Sequence, residues 1–370
     1  MSLQQQAPAH VSALAPYQPG KPVSEIARQF GLNEADIVKL ASNENPLGMS
    51  PKAKAAMLAA ANDLGRYPDP NGFELKAALA ARHDVPAEWI TLGNGSNDIL
   101  ELVAHAFLVP GTSSVFAQYS FAVYALATQA TGARAIVVPA VDYGHDLAAM
   151  RAAIDTTTRV VFIANPNNPT GTFLTGQQIA DFVAAVPSDV VVVLDEAYNE
   201  YLTADQSYDA MALVRRHANL LVSRSFSKAY GLAGLRVGYG VAQPALTDLI
   251  NRIRQPFNVN TLAQAAACAS ITDAEFLQQT FDNNRSGMAQ LESGLKALGL
   301  AWVPSTGNFL LVEVGDQAAA LNIELLRRGV IVRPVGNYGL SRHLRVSIGT
   351  EHENAVFLKV LPEAMRAAGC

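Results

Sequence analysis

The sequence has few cysteines, few charged residues and no cluster of one charge sign. Its two cysteines, Cys268 and Cys370, are too few for a disulfide framework and favour a reducing compartment. Charged residues make up 16% of the chain, with 27 Lys and Arg against 32 Asp and Glu, and no basic cluster predicts nucleic-acid binding. The seven histidines are scattered and form no metal-binding motif. We therefore expect no bound metal and no nucleic-acid partner.

Long hydrophobic runs and targeting signals are also missing. No apolar run approaches the roughly 18 to 20 residues that a membrane helix needs. Residues 1–16 lack the basic and apolar regions of a signal peptide. No G-x-S-x-G motif follows a predicted strand, so a serine hydrolase is not supported. Half of the residues are hydrophobic, which is typical of a globular protein, and we expect a cytoplasmic location without membrane partners.

Short β-branched runs alternate with helical patterns between about residues 45 and 265. This alternation predicts an α/β domain in which helices flank a mostly parallel sheet. The runs have little polar alternation, as expected of strands that are covered on both faces. We predict strands at residues 90–92, 113–116, 135–138, 159–164, 190–194, 220–223 and 236–239.

The pattern changes after residue 265. Residues 266–370 predict a smaller α+β domain, with strands at 309–314, 330–332 and 344–348 and a helix at 317–328. Residues 1–44 are rich in Pro and Gln, contain one plausible helix near 25–30, and are expected to form an N-terminal arm and part of the small domain. The large domain is accordingly predicted at 45–265.

Polar clusters follow four of the predicted strands, at residues 93–98, 165–171, 195–198 and 224–228. Ligands of open parallel sheets bind at the carboxyl ends of the strands, so all four clusters should face one crevice. Taken singly, each cluster has an ordinary explanation. The Gly93 loop is compatible with a tight turn, the Asn165 loop with turn chemistry, Asp195 with a helix cap, and Lys228 with a solvated surface residue.

The order of these residues along the chain is more specific than any one cluster. Asn168-Pro169-Thr170-Gly171, Asp195 with Tyr198 three residues later, Ser225-x-x-Lys228 and Arg236 together resemble the fold-type I pyridoxal-phosphate (PLP) aminotransferases, class II subgroup. Segments 16–21, 40–46, 66–69 and 344–350 are similar to the histidinol-phosphate aminotransferase subfamily. The resemblance covers nearly the whole chain. It departs from the commoner pattern at Ala117-Gln118 and at Asn97-Asp98.

The resemblance assigns roles around the cofactor. Lys228 forms the Schiff base and moves the substrate's α-proton, Asp195 faces the pyridine nitrogen, and Tyr198 contacts the phenolic oxygen of the ring. Asn168 shares that contact. The cofactor phosphate is expected at Ser96, Asn97, Ser225, Ser227 and Arg236. Tyr119 is expected to stack on the ring, or else to be a core aromatic.

The resemblance also implies a shared active site and a place for the substrate. Tyr67 is expected to reach the cofactor phosphate of a partner subunit, which implies a homodimer; its ordinary explanation is packing against Pro68. Substrate binding is expected at Tyr17, Asn45, Arg333 and Arg345. For Arg333, an ordinary surface charge is an equally good interpretation.

The implied reaction is a transamination in histidine biosynthesis. Glutamate gives its amino group to imidazole-acetol phosphate, which yields 2-oxoglutarate and L-histidinol phosphate. Three alternatives stay open at this point: a broad-specificity aromatic amino acid aminotransferase, a PLP-dependent decarboxylase of an amino-acid phosphate, and a non-catalytic nucleotide-binding module. The first two share the cofactor residues, because PLP supplies the electron sink in each case.

Overall fold

The computed structural model describes residues 3–17 and 20–370, with only the backbone of Gln4 and Gln5. Within these residues the chain forms twelve strands: β1 (Val38–Leu40), β2 (Ile90–Gly93), β3 (Ser113–Ala117), β4 (Arg134–Val138), β5 (Thr158–Ala164), β6 (Val191–Asp195), β7 (Leu220–Ser225), β8 (Gly238–Val241), β9 (Ala301–Val303), β10 (Phe309–Glu313), β11 (Val330–Pro334) and β12 (His343–Ser347).

The same described residues form fifteen α-helices: α1 (Leu3–Gln6), α2 (Ala9–Ser12), α3 (Val23–Phe30), α4 (Pro51–Ala60), α5 (Phe73–His83), α6 (Ser96–Phe107), α7 (Ala122–Ala130), α8 (Leu147–Ala152), α9 (Gly176–Ala185), α10 (Ala210–Arg216), α11 (Pro244–Ile253), α12 (Thr261–Ile271), α13 (Ala274–Ala297), α14 (Ala318–Arg327) and α15 (Glu351–Ala368). None of these helices is both long and apolar enough to cross a membrane.

The larger sheet has seven strands in the order β2-β8-β7-β6-β5-β3-β4. Strands β7, β6, β5, β3 and β4 pair in parallel, whereas β8 is antiparallel to both β7 and β2. Strand β2 therefore runs in the same direction as β7, and six strands end at the same edge. This confirms the predicted mostly parallel sheet. The predicted strand at 236–239 begins two residues later, because Arg236 adopts a left-handed conformation with φ of 59°.

Burial on both faces explains the unbroken apolar runs of the central strands. In β6, Val192 and Leu194 belong to one hydrophobic cluster, and Val191 and Val193 belong to another on the opposite face. Helices α4, α5, α8, α9, α10 and α12 cover the first face, and α6, α7 and α11 cover the second. This arrangement holds the carboxyl ends of the strands rigidly at one edge of the sheet.

The smaller sheet has the order β1-β11-β12-β10-β9, in which β1 pairs in parallel with β11 and the other pairs are antiparallel. Helices α13, α14 and α15 pack on one side of it. The first 44 residues thus contribute a strand to this sheet. Helix α12, which packs against α4 and α5, contains residue 265, the predicted end of the large domain. The exact domain limits stay a prediction.

Candidate active site

A cavity lies at the carboxyl edge of the large sheet. All four predicted polar clusters contribute to its wall: Ser96 from the first, Asn168 from the second, Asp195 and Tyr198 from the third, and Lys228 from the fourth. The rest of the described lining consists of Phe121, Ala164, Pro166 and Ala197. The prediction that these clusters face one crevice is therefore confirmed.

Lys228 stands three residues past the end of β7 and presents its amine to the cavity. Its Nζ donates a hydrogen bond to the carbonyl of Ser42 at 3.0 Å and lies 5.8 Å from the centroid of the Tyr198 ring. Burial lowers the pKa of Lys228 to about 7, and the positive charge of Arg345 acts in the same direction. Near neutral pH much of this amine is unprotonated, as a nucleophile or a general base requires.

Asp195 ends β6 and offers one unsatisfied oxygen to the cavity. Its Oδ2 accepts a hydrogen bond from the hydroxyl of Tyr124 at 2.9 Å. Its Oδ1 is buried and has no hydrogen-bond partner among the described residues. Burial raises the pKa of Asp195 to about 6, and the bond from Tyr124 opposes that rise. A buried acceptor without a partner indicates that a donor belongs there.

Tyr198 is held by a residue that the sequence did not single out. The side-chain amide of Asn43 donates to the Tyr198 hydroxyl at 3.0 Å, and the Asn43 Oδ1 accepts from Ser347 Oγ at 2.8 Å. Burial raises the pKa of Tyr198 to about 12, so its phenol keeps its proton. Asn43 has φ of 54°, a conformation in which Asn is enriched. Because Asn43 accepts from β12 and donates to Tyr198, it joins the small sheet to the cavity.

Arg345 of the small sheet contacts a residue of the cavity wall, and Arg333 is its neighbour in the sheet. Arg345 donates from Nη1 to Asn168 Oδ1 at 2.5 Å and from Nη2 to the carbonyl of Ala41 at 2.7 Å. Its Nε is buried without a partner among the described residues. Arg333 lies directly opposite Arg345 in the β11–β12 pairing, and its guanidinium is 5.7 Å from the Tyr17 ring centroid. The two buried cations form a site suited to an anion.

The first residue of α6, Ser96, lines the cavity, so the positive end of this helix faces it. Gly95 precedes the helix with φ of 87°, and a Cβ there would lie 2.5 Å from Nη2 of Arg236. The positive φ at this position favours glycine. The side chain of Asn97 donates to Glu101 at 2.7 Å, so only its backbone N–H faces the end of the helix.

Arg236 and two serines complete the same corner. Arg236 donates from Nη1 to Ser227 Oγ at 3.4 Å, and its Nη2 donates to the carbonyl of Asn94 at 3.4 Å. The backbone N–H of Ser227 donates to Ser225 Oγ at 3.0 Å. An arginine, two hydroxyls and a helix N-terminus make a typical phosphate-binding corner.

Tyr119 is not among the residues that line the cavity. Its ring lies 6.1 Å from that of Tyr143, and the pair packs on a small cluster that includes Leu311. Phe121, two residues further on, stands in the cavity wall instead. Tyr119 has φ of 58°, and this turn of the backbone leads into α7, whose cap is Phe121. The stacking role of Tyr119 stays a prediction, and Phe121 is a second aromatic candidate for that contact.

Asn45 makes three hydrogen bonds within the chain. Its Nδ2 donates both to the carbonyl of Ala229 at 2.8 Å and to Thr280 Oγ1 at 3.0 Å, and its Oδ1 accepts from the N–H of Leu47 at 3.0 Å. These three bonds join the segment after β1 to its neighbours. The substrate-binding role of Asn45 stays a prediction.

Tyr67 lies on the surface, 80% exposed, and stacks on the ring of Phe257 with centroids 4.6 Å apart. It does not line the cavity of its own chain. Its position is compatible with a contact to another subunit and adds nothing to the site within this chain.

Comparison with known proteins identifies the class of protein first. Residues 35–361 match the family described as aminotransferase class I and II. The chain is therefore an aminotransferase that depends on pyridoxal 5'-phosphate, as the resemblance in the sequence predicted.

The particular family follows from individual relatives. The chain is 66% identical over 362 residues to histidinol-phosphate aminotransferase 1 of Cupriavidus pinatubonensis, covering 97% of this chain and 96% of that one. It is 63% identical to histidinol-phosphate aminotransferase 2 of Ralstonia nicotianae, covering 98% and 97%. Its fold matches the crystal structure of histidinol-phosphate aminotransferase from Sinorhizobium meliloti in complex with pyridoxal-5'-phosphate, with a TM-score of 0.90, 28% identity and 97% of each chain covered. The chain belongs to the histidinol-phosphate aminotransferase family.

The residues of the cavity fit this cofactor. An unpartnered Asp195 Oδ1 suits a protonated ring nitrogen, and a lysine with a lowered pKa suits an aldehyde. The corner of Arg236, Ser225 and the α6 N-terminus suits a phosphate. The ring nitrogen, the aldehyde and the phosphate of pyridoxal phosphate thus each have a chemical counterpart.

Proposed function

We propose that this enzyme transfers the amino group of glutamate to imidazole-acetol phosphate, yielding 2-oxoglutarate and L-histidinol phosphate in histidine biosynthesis. The observation that carries the proposal is the Lys228 amine, with its lowered pKa, in one cavity with Asp195 and beside two buried arginines. The similarity to histidinol-phosphate aminotransferases over nearly the whole chain supports the choice of substrate.

When bound, pyridoxal phosphate supplies an electron sink for the bonds of the substrate's α-carbon. The Lys228 amine would hold the aldehyde of the cofactor and, as a free amine, would take the substrate's α-proton and return it one position away. Asp195 keeps the ring nitrogen protonated through its unpartnered oxygen. Tyr198 and Asn168 hold the phenolic oxygen of the ring, and Asn43 leaves the Tyr198 proton free to be donated.

The phosphate of the cofactor is held by the backbone N–H groups of Ser96 and Asn97, the hydroxyls of Ser225 and Ser227, and the guanidinium of Arg236. We assign the contact with the face of the ring to Phe121, because this residue lines the cavity and Tyr119 does not. These contacts orient the ring, and orientation of the reacting groups is a large part of catalysis.

Both substrates bring an anion to the same place. Glutamate has an α-carboxylate and histidinol phosphate has a phosphate ester, and we assign both to Arg345 with help from Arg333. Arginine suits this double task because its planar fork donates paired hydrogen bonds to carboxylate and to phosphate alike. Tyr17, whose ring lies against Arg333, is assigned to the rim of the substrate site.

We also propose a cytoplasmic homodimer with shared active sites, in which Tyr67 reaches the cofactor phosphate of the partner subunit. Tyr67, Phe73, Leu64 and Leu58 are large apolar side chains exposed on the surface, which is typical of an interface between subunits. Cys268 and Cys370 are unpaired, as expected in a reducing compartment.

The substrate is tested by comparing rates on the purified enzyme. With 2-oxoglutarate as acceptor, histidinol phosphate should be converted with a higher kcat/KM than phenylalanine, and no carbon dioxide should be released from an amino-acid phosphate. Lys228→Ala should abolish turnover. A higher kcat/KM for phenylalanine would make the enzyme a general aromatic aminotransferase, and release of carbon dioxide without an acceptor would make it a decarboxylase.

The shared site is tested by mixing two defective subunits. The Lys228→Ala homodimer lacks the amine, and the Tyr67→Ala homodimer is expected to hold its cofactor weakly. A hybrid dimer has one site in which Lys228 of one subunit meets Tyr67 of the other, so mixing under subunit exchange should restore activity. If a mixture that is shown to contain hybrid dimers recovers no activity, Tyr67 does not reach the partner's active site. It would then act in the site of its own subunit or in neither site.

A further inference from the structure

Tyr124 is a fully buried tyrosine of α7 that does not line the cavity and was not singled out in the sequence. Its hydroxyl donates to Asp195 Oδ2 at 2.9 Å. Its ring stacks on that of Phe162 in β5, with centroids 4.8 Å apart and planes at 5° to each other. The phenol is therefore fixed in direction by packing, and its proton points at one oxygen of the carboxylate.

The surroundings of Asp195 make this bond important. Glu196 follows it in the chain, and the charge of Lys228 and the hydroxyl of Tyr198 act on it from nearby. The backbone N–H of Ala197 is a second hydrogen-bond donor to the carboxylate. The charge of Glu196 is matched elsewhere, by a buried ion pair with Arg224 at 2.8 Å. Among the described residues, Tyr124 is the side chain that hydrogen-bonds the Asp195 carboxylate.

We propose that Tyr124 is a positioning residue for the cofactor ring: by holding Asp195 through Oδ2, it keeps the carboxylate ionised and leaves Oδ1 to pair with the ring nitrogen. This inference rests on the proposed role of Asp195. A hydrogen bond donated to a carboxylate favours its charged form, and the charged form is needed to keep the ring nitrogen protonated. Without the bond, the carboxylate keeps the backbone N–H of Ala197 as a donor but loses the side-chain donor that fixes Oδ2.

The test is Tyr124→Phe, which keeps the ring stacked on Phe162 and removes only the donor. Hydrogen bonds to charged groups contribute enough that pyridoxal phosphate should bind roughly 10- to 100-fold more weakly to the variant. The pH below which the cofactor is lost should rise, because protonation of Asp195 becomes easier. We expect kcat to fall while KM for glutamate changes by less than about twofold, since Tyr124 does not touch the substrate site.

Tyr239→Phe is the matched control. Tyr239 is also a buried tyrosine, 2% exposed, and its hydroxyl bonds to His83 Nε2 at 2.7 Å, but it lies outside the cavity. This substitution removes the same atom from the core. Its cofactor affinity and the pH dependence of that affinity should stay within about twofold of those of the parent enzyme, whatever happens to its melting temperature.

Measurements in an Asp195→Ala background distinguish the proposed role of Tyr124 from the proposed role of Asp195. If Tyr124 acts through Asp195, Tyr124→Phe should change cofactor affinity by less than about twofold once the carboxylate is gone. Asp195→Ala with normal cofactor affinity would overturn the role of Asp195 itself. If Asp195→Ala weakens cofactor binding but Tyr124→Phe does not, the positioning role of Tyr124 is overturned. It is also overturned if Tyr124→Phe still weakens cofactor binding in the Asp195→Ala background. Either result leaves the proposed function intact.

Discussion

The lowered pKa of Lys228 predicts how the apoenzyme captures its cofactor as pH is varied. An amine attacks an aldehyde only when it is unprotonated. With a pKa of about 7, roughly half of the Lys228 amines are neutral at pH 7. An ordinary lysine with a pKa near 10.4 is neutral to only about 0.04% at that pH, so the site gains roughly a thousandfold in reactive amine. The rate of covalent attachment should therefore rise from pH 5.5 to a plateau near pH 8.

The assay is rapid mixing of apoenzyme with pyridoxal phosphate, followed by absorbance and by borohydride trapping at Lys228. The carboxylate of Asp195, whose pKa is about 6, adds a second and lower inflection, because its ionised form binds the ring nitrogen. An Asp195→Asn variant removes that inflection and leaves the titration of the amine. In Lys228→Ala, the pH dependence of noncovalent binding of pyridoxal phosphate should show the Asp195 inflection alone.

Two neighbouring charged residues allow the direction of the pKa shift to be tested. Arg345 lowers the pKa of Lys228 and Glu44 raises it. Arg345→Gln should therefore move the midpoint of the attachment rate to higher pH, and Glu44→Gln should move it to lower pH. A rate that rises only above pH 9 in the parent enzyme, or midpoints that shift in the same direction in both variants, would refute the reasoning.

Three further predictions concern contacts already described. Arg345→Gln should raise KM for glutamate and 2-oxoglutarate by about 10- to 100-fold in steady-state kinetics, because charge-assisted bonds to the carboxylate are lost, and an unchanged KM would move the anion site elsewhere. Asn43→Ala should lower the free energy of unfolding by about 1–3 kcal/mol and reduce kcat, since Tyr198 loses its partner; Asn43→Gly, which suits the positive φ, should recover part of the stability but not kcat. Glu196→Gln should cost about 3–5 kcal/mol in denaturant unfolding, because it removes the carboxylate that forms the buried ion pair with Arg224, and a loss below about 1 kcal/mol contradicts that view of the pair.

The large sheet was predictable because its strands are covered on both faces. Runs such as Val191–Asp195 show almost no polar residues, and the rule that parallel strands present ligands at their carboxyl ends brought four loops together correctly. The short strands β1 and β9 were missed. Each has three residues, which is too short for a periodic signal, and β1 is defined only by its pairing with residues near the other end of the chain.

The supporting contacts of the site were not predictable in the same way. Tyr124 and Asp195 are 71 residues apart in the chain, and Asn43 and Tyr198 are 155 apart. The sequence indicates which side chains can donate or accept, but the packing of the folded chain decides which of them meet. Phe121 shows the same limit at short range, because the sequence did not indicate that this side chain lines the cavity.

The pairing of β1 with β11 joins residues 38–40 to residues 330–332, and the carbonyl of Ser42, just after β1, receives the Lys228 amine. During synthesis, every strand of the large sheet leaves the ribosome before β11 exists. The segment that carries Ser42 and Asn43 must therefore wait, unpaired, until the last part of the chain arrives. Productive capture of the cofactor should follow the synthesis of β11, so a nascent chain halted before β11 should lack its chromophore.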